Sequence, residues 1–354
     1  MPIPTEPIGS LPRPPELIQA LRDLGAGRIE RAQVDALVSR AVRETIAAFE
    51  ETGSPVVTDG EQAKPSFATY PIDGLSSLAP DGIAIPFADG HARRLPRLTA
   101  GPFRYARHAA AYLKAATALT RLPVKQAVIS ASALSLLYPE NGIPGYSREA
   151  FLEDLVAEAA EDIRGCLEGG AHCVQIDFTE ARLAVKLDPT KRLLAQFVAL
   201  NNRVLSRFSA AEKRRIGVHT CPGGDQDSTH SADVDYRDLL PSLFEMDAGI
   251  FYVQLASEPD PERVLRLVAE HSRASQRIFV GVTDPITRQV ETVEEVRDRV
   301  LQAASHIPAA RLGTTDDCGF APFADDVSTS RETAFAKIRA RVLGTAMASQ
   351  ELGQ

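Results

Sequence analysis

Cysteine is scarce in this chain: four in 354 residues, at Cys166, Cys173, Cys221 and Cys318. That is too few for a disulfide scaffold at this length. It points to a reduced, cytoplasmic setting in which a paired thiol serves as ligand or catalyst. Long apolar runs are missing as well. No stretch of about 18 apolar residues occurs, so no membrane-spanning helix is expected. The N-terminus, MPIPTEPIGSLPRPPEL, has prolines at positions 2, 4 and 7 and no apolar h-region, and does not read as a signal peptide. Positive charge is in deficit. The 39 basic and 47 acidic residues give a formal net charge of −8, and no lysine/arginine block forms a tail. Neither a nucleic acid nor an anionic membrane is therefore expected as partner. Internal repeats and low-complexity linkers are absent too.

What is present reads as an ordinary globular protein, 44% hydrophobic and 24% charged, long enough to build a large core. Short β-rich runs alternate with longer helical patterns. The candidate strands are Pro55–Asp59, Leu98–Phe103, Val124–Ser130, His172–Asp177, Ile216–Cys221, Ile250–Ala256, Ile278–Asp284 and Leu312–Cys318. Helical periodicity covers Glu30–Thr52, stopped by Gly53, and Arg148–Glu168, stopped by Gly169 and Gly170. A third pattern, Thr292–Ser305, opens with Thr292 and Glu295 in capping-box spacing, and a fourth covers Arg331–Ser349. Eight strands alternating with helices predict an α/β fold, a (β/α)8 TIM barrel forming a single domain over residues 1–354. The N-terminal arm (1–30) and the segment 60–96 read as extension and insertion.

The strand exits collect polar residues: Asp59 and Glu61, Asp177, His219 and Cys221, Gln254, Asp284, and Asp317 with Cys318. In this fold the C-terminal rim is where active sites sit. The stretch GVHTCPGGD (Gly217–Asp225) puts an imidazole and a thiol two residues apart. Residues i and i+2 of a strand share a face, with Cα atoms roughly 6.5 Å apart. That suits two ligands on one metal, each about 2.0–2.3 Å from it. Cys318 at another exit supplies a third ligand. Two sulfurs and a nitrogen select zinc over magnesium or calcium, and three protein ligands with one open position is the catalytic pattern. Zinc so neutralised by thiolates generates hydroxide poorly. It binds a substrate thiol and holds it as thiolate, which points to alkyl transfer to sulfur. The bland alternative makes Cys221 and Cys318 small buried hydrophobes and His219 a satisfied core imidazole. For Cys166 and Cys173 core packing is the better reading.

In combination and in order, several motifs resemble those of the cobalamin-independent methionine synthase family, specifically its C-terminal catalytic barrel. They are PTEPIGSLPRP (Pro4–Pro14), VVTDGEQ (Val56–Gln62), VQIDFTEARL (Val174–Leu183), HTC, GVTDPITRQVETVEEV (Gly281–Val296) and DDCG (Asp316–Gly319). The resemblance implies that His219, Cys221 and Cys318 hold zinc. It also implies that the Ile8–Ser10 backbone, Glu61 and Asp177 hold the amino-acid end of a homocysteine-like thiol. The partners implied are a small-molecule thiol and an alkyl donor. Structural ion pairing is the competing role for Glu61 and Asp177.

The chain also departs from that family. Gln254 stands where the family has a glutamate as fourth zinc ligand, with Glu258 four residues on. Pro285, Ile286 and Thr287 stand where the family assists its folate leaving group with a histidine. Tryptophan, which the family places beside the pteridine, is absent, and no counterpart of the family's N-terminal barrel lies in these residues. Losing the carboxylate makes a bound thiol ionise more readily but attack less strongly, which suits a more reactive electrophile. The related epoxyalkane:coenzyme M transferases are thus an alternative expectation. The insertion Pro222–Tyr236 carries Asp225, Asp227, Asp233, Asp235 and His230, which would protonate an opening ring or form a solvated loop. A sulfonate-bearing thiol would need a cation, with Lys64, Lys125 and Arg182 as candidates. Two further readings are a metal-free decarboxylase of the uroporphyrinogen type and a non-catalytic zinc- or thiol-binding barrel.

Overall fold

Six apolar runs pair side by side as parallel strands: β1 Gln126–Ile129, β2 Val174–Asp177, β3 Ile216–Thr220, β4 Ile250–Val253, β5 Arg277–Thr283 and β6 Leu312–Asp316. The computed structural model describes residues 2–354. Each strand pairs with the next in chain order. Every strand residue except Arg277 is buried. A parallel sheet covered on both faces requires such near-continuous apolar runs, because helices return across it between strands.

Two more extended segments sit at the sheet's edges. Val57 bridges Val124 beside β1, and Thr5 bridges Thr314 of β6, both parallel. The edges then meet each other. Leu11 N–H donates to the Gly60 carbonyl at 3.0 Å, and Thr58 Oγ1 donates to the Gly9 carbonyl at 2.9 Å. Eight staves are therefore in place, seven of them expected from the sequence, with hydrogen bonds at the seam instead of a ladder.

One stave differs from the expectation. Leu98–Phe103 does not enter the ring. Leu98 pairs antiparallel with Leu78 in a two-residue ribbon outside it. This run contains Gly101-Pro102, which removes a ladder donor and weakens strand pairing. The N-terminal arm, expected as an extension, takes the first place in the ring. Its prolines are tolerated because pairing with β6 asks little of it. Glu6 N–H donates to Thr314 O at 3.0 Å and Pro4 supplies only its carbonyl, at 2.9 Å from Thr314 N.

The helices start and stop close to their sequence signals. Arg31–Thr52 ends at Gly53 with φ +77°, and Arg148–Glu168 begins at the Ser147 cap. Val293–Ala304 carries the Thr292/Glu295 capping box, and Arg331–Glu351 closes the chain. Among the described residues no helix is long and apolar enough to cross a membrane.

Near the strand starts a polar plug fills the ring. Lys125 Nζ donates to the Pro7 carbonyl at 2.8 Å and lies 3.6 Å from Glu6 Oε2. Tyr252 Oη donates to Glu6 Oε2 at 2.5 Å, and His172 Nε2 lies 3.2 Å from Oε1. Cys173, expected as plain packing, is buried here with its sulfur 3.3 Å from Tyr252 Oη. Burial pushes the Glu6 carboxyl up. The His172 hydrogen bond, the Lys125 charge and the Tyr252 hydroxyl outweigh that and bring it to about 2. Cys166 lies on the apolar side of its helix, fully buried.

Candidate metal and substrate site

The period of a strand sets the first two groups of the site. His219 is the fourth residue of β3, and Cys221 follows directly after its end. Cys318 follows β6 by two residues. Their ligating atoms lie within 4.8 Å of one another and all three residues are buried. The two sulfurs are 2.8 Å apart as free thiols. Burial pushes the Cys221 thiol well up. The hydrogen bond it gives Cys318, with His219 close by, holds the Cys318 thiol below its ordinary value.

Asp177 ends β2 and is the direct register partner of His219. Its Oδ1 lies 3.1 Å from His219 Nδ1 and accepts from Gln175 Nε2 at 2.7 Å. Burial opposes charge on the imidazole, but Asp177 outweighs it and holds the ring above its ordinary value. A carboxylate behind Nδ1 fixes the ring and leaves Nε2, 3.3 Å from the Asp317 carbonyl in this structure, as the nitrogen a metal would take. Two sulfurs and a so-oriented imidazole fit a soft divalent ion.

Neighbouring strands hold Cys318 in place. A bulge between Gly281 and Thr283 shifts the β5–β6 register. Asp317 then accepts the N–H groups of Leu255, Ala256 and Ser257 at 2.8, 2.9 and 2.7 Å. A Cβ at Gly281 would fall 1.8 Å from Asp317 Oδ1, so only glycine fits there. Gln254, at the β4 exit, shares a cleft with Asp317 and Cys318. Its amide nitrogen donates to Glu258 Oε1 at 2.8 Å, and Arg182 donates to the same oxygen at 2.9 Å. Glu258 is thus neutralised by Arg182, and Gln254 has only its carbonyl oxygen to offer an ion.

An open cavity, about 350 Å³ with its solvent-filled mouth included, lies beside this group. Ile8, Ser10, Glu61, Asp177, His219 and Cys318 all line it, and Cys221 lies behind Cys318. Gln254 is on the neighbouring cleft instead. Glu61 has φ +56°, an uncommon conformation for a side-chain-bearing residue. Three contacts impose it: Lys64 Nζ on its carboxylate at 2.7 Å, its N–H on Asp59 Oδ1 at 2.9 Å, and Arg13 on its carbonyl at 2.7 Å. Burial disfavours charge on Lys64. Glu61, Asp59 and Asp177 outweigh it and push the ammonium above its ordinary value. Arg13 faces Glu61 and Asp59 as well, so two cations meet three carboxylates. Lys125 belongs to the plug below and Arg182 to Glu258, so neither lines this cavity.

The family described as Cobalamin-independent synthase, Catalytic domain, matches residues 3–339. The chain belongs to this family. It is 24% identical over 330 residues to the 5-methyltetrahydropteroyltriglutamate–homocysteine methyltransferase of Nitratidesulfovibrio vulgaris, covering 90% of this chain and 38% of that protein. The like-named protein of Streptomyces avermitilis is 26% identical over 324 residues, covering 90% and 39%. The chain thus spans about two fifths of the length of the curated relatives it matches. A B12-independent methionine synthase from Shewanella sp. W3-18-1, solved in complex with selenomethionine, superimposes with a TM-score of 0.78 at 19% identity over 99% of both chains. A methyltransferase from Methanosarcina mazei gives 0.52 at 14% identity over 100% of this chain and 95% of that one. These likenesses support the barrel fold of this family member.

Over the mouth of the synthase-type barrel, two insertions interlock. The hairpin formed by Ala84–Pro86 and Ala92–Arg94 meets the loop after Cys221. Ala88 N–H donates to Thr229 O at 3.0 Å, Arg93 bonds Asp225 at 2.5 Å, and His91 lies 3.0 Å from Asp225. The other loop carboxylates are also paired: Asp227 with Arg288, Asp233 with Lys186, and Asp235 with Arg263. They build a roof and are not free proton donors. His230 is buried under it, and burial lowers its imidazole to about 4, so it is neutral near pH 7. The sequence reading missed Glu180, three residues past Asp177. Its only sequence signal is an acid inside an otherwise apolar helix start.

Proposed function

We propose that this chain binds one zinc ion through His219, Cys221 and Cys318, with Gln254 at the rim, and alkylates the sulfur of an amino-acid thiol of the homocysteine type. Bound zinc would lower the pKa of a coordinated thiol and hold it as thiolate at neutral pH. The observation that carries the reading is the charge around the cavity. Glu61, Asp59 and Asp177 outnumber the two cations beside them, Lys64 and Arg13, and the two carboxylates that line the cavity, Glu61 and Asp177, favour an added cation such as an α-ammonium group. The two side-chain hydrogen bonds on Asp177 both fall on Oδ1, leaving Oδ2 for that group. The substrate carboxylate would rest on the Ile8–Ser10 backbone, which lines the same wall. No lysine or arginine lines the cavity to meet a sulfonate, which disfavours coenzyme M. The curated relatives' names support homocysteine as acceptor. Since His219 and Cys318 line the substrate cavity itself, the ion would face it, which favours catalysis over a closed structural site.

Cobalt-substituted protein supplies the test through its sulfur-to-metal charge-transfer band. Homocysteine should perturb that band at about 100-fold lower concentration than coenzyme M, the equivalent of two charge-assisted hydrogen bonds. Equal response to both thiols would sink the amino-acid assignment. A related expectation concerns Gly319, where a Cβ would fall 2.0 Å from Ser10 Oγ. Gly319→Ala should push the Ser10 wall back and weaken homocysteine binding on the order of 10- to 100-fold. Metal content, measured by atomic absorption, should stay unchanged.

A further inference from the structure

A second cavity, about 660 Å³ with its solvent-filled mouth included, adjoins the first and shares Phe67, Thr179, Gly223 and Gly224 with it. Its walls are largely apolar, including Ile85, Phe87, Leu95, Leu136 and Leu183, and the roof hairpin covers one side. One carboxylate stands among them. Glu180 is buried, and its Oε2 has no hydrogen-bond partner. Its Oε1 is doubly engaged, with Ser130 Oγ at 2.5 Å and with Ser132 Oγ. Both hydroxyls already accept elsewhere: Ser130 from Ala133 N–H at 3.1 Å, and Ser132 from Asn201 Nδ2 at 2.7 Å. Each hydroxyl thus keeps its own proton free to donate to Oε1. With both serines donating to Oε1, the proton of the neutral acid sits on Oε2, the oxygen without a partner. Arg93 and Arg94 line the same space but are spent on Asp225, Asp325 and the Gly82 carbonyl. Burial pushes the carboxyl up to about 7, with Asp177 adding to the rise and the two serines opposing it. A neutral acid is thus available at physiological pH.

We propose that this cavity takes a neutral alkyl donor with an apolar body and a nitrogen or oxygen leaving atom, and that Glu180 is the catalytic acid for that atom. The inference rests on the thiol-transfer reading above. As the thiolate sulfur forms its bond to the alkyl carbon, the carbon–heteroatom bond breaks. The departing atom takes the electron pair and the Oε2 proton. Glu180 is left as carboxylate and regains a proton from solvent. The thiol proton leaves on binding, so thiol and donor become thioether and protonated leaving group.

Two probes separate this role from a structural one. Styrene oxide is apolar and needs a proton on its departing oxygen, whereas iodomethane expels iodide and needs none. With metal-loaded protein and homocysteine, Glu180→Gln should slow alkylation by styrene oxide about 10²- to 10⁴-fold and leave alkylation by iodomethane within about threefold. The iodomethane rate also reports that the variant is folded. Equal slowing with both probes, or with neither, overturns the acid role. Infrared difference spectra of metal-free protein give a second readout. A protonated-carboxyl stretch present below neutral pH should vanish in Glu180→Gln and move to lower frequency when styrene oxide enters. A band that ignores the probe overturns the subsite. Wild-type protein inert even to iodomethane overturns the transfer reading itself, and the acid role with it.

Discussion

Cys318→Ser should leave the barrel folded, drop bound zinc to less than a tenth of the wild-type content, and cut thiol alkylation roughly 10³-fold. The size follows from two losses. A free thiol with a pKa near 8.5 is only about 3% thiolate at pH 7, so removing the ion costs about 30-fold in nucleophile. Loss of a fixed sulfur position costs on the order of another 10²-fold. Serine is nearly isosteric, and Cys318 sits at a strand exit rather than in the main apolar cluster, so the fold should tolerate it. Cys166→Ser is the matched control. It changes a buried sulfur on the helix Arg148–Glu168, far from the ligand group in the chain, and should keep the full metal content. Metal analysis of purified protein decides the matter. Full zinc in Cys318→Ser would remove Cys318 from the coordination set.

The largest stability effect is expected at the plug. Glu6→Gln leaves the Lys125 ammonium buried with only the Pro7 carbonyl and the Tyr252 ring, whose centroid is 3.4 Å away. Breaking one side of a buried ion pair costs about 3–5 kcal/mol, which lowers a urea midpoint on the order of 1 M. The pH dependence has a definite sign. The Glu6 carboxyl is lowered from 4.5 to about 2 in the folded state. Its contribution is therefore complete above pH 4.5 and disappears as pH falls toward 2. The stability gap between wild type and variant should close over that window. Adding Lys125→Met to Glu6→Gln should recover much of the loss, because no unpaired charge remains. A single variant as stable as wild type would show that the pair does not hold the ring together.

Some of this was readable in the sequence, and the reasons are local. Helix boundaries are carried by caps, and Thr292 with Glu295 or Gly53 act within one turn. The meeting of His219, Cys221 and Cys318 was legible because strand period and strand exits are local too. The failures all involve partners distant in the chain. Leu98–Phe103 has strand composition, but nothing nearby says that it lies outside the ring. The proline-rich arm has little strand character, yet Thr314, over 300 residues on, needs from it only one N–H and one carbonyl. The loop aspartates read equally well as solvated or catalytic until Arg93, Arg288, Lys186 and Arg263 are seen against them. Glu180 owes its chemistry to Ser130, Ser132 and a roof built from residues 85–95.

The seam between Thr5 and Thr314 has a temporal consequence. Residues 4–11 are made before the six sheet strands but find their ladder partner only after β6 has been made. Contacts so far apart in the chain form slowly. Ile8 and Ser10 belong to that late-docking segment, so a nascent chain lacks one wall of the cavity beside His219 and Cys318 until β6 has been made.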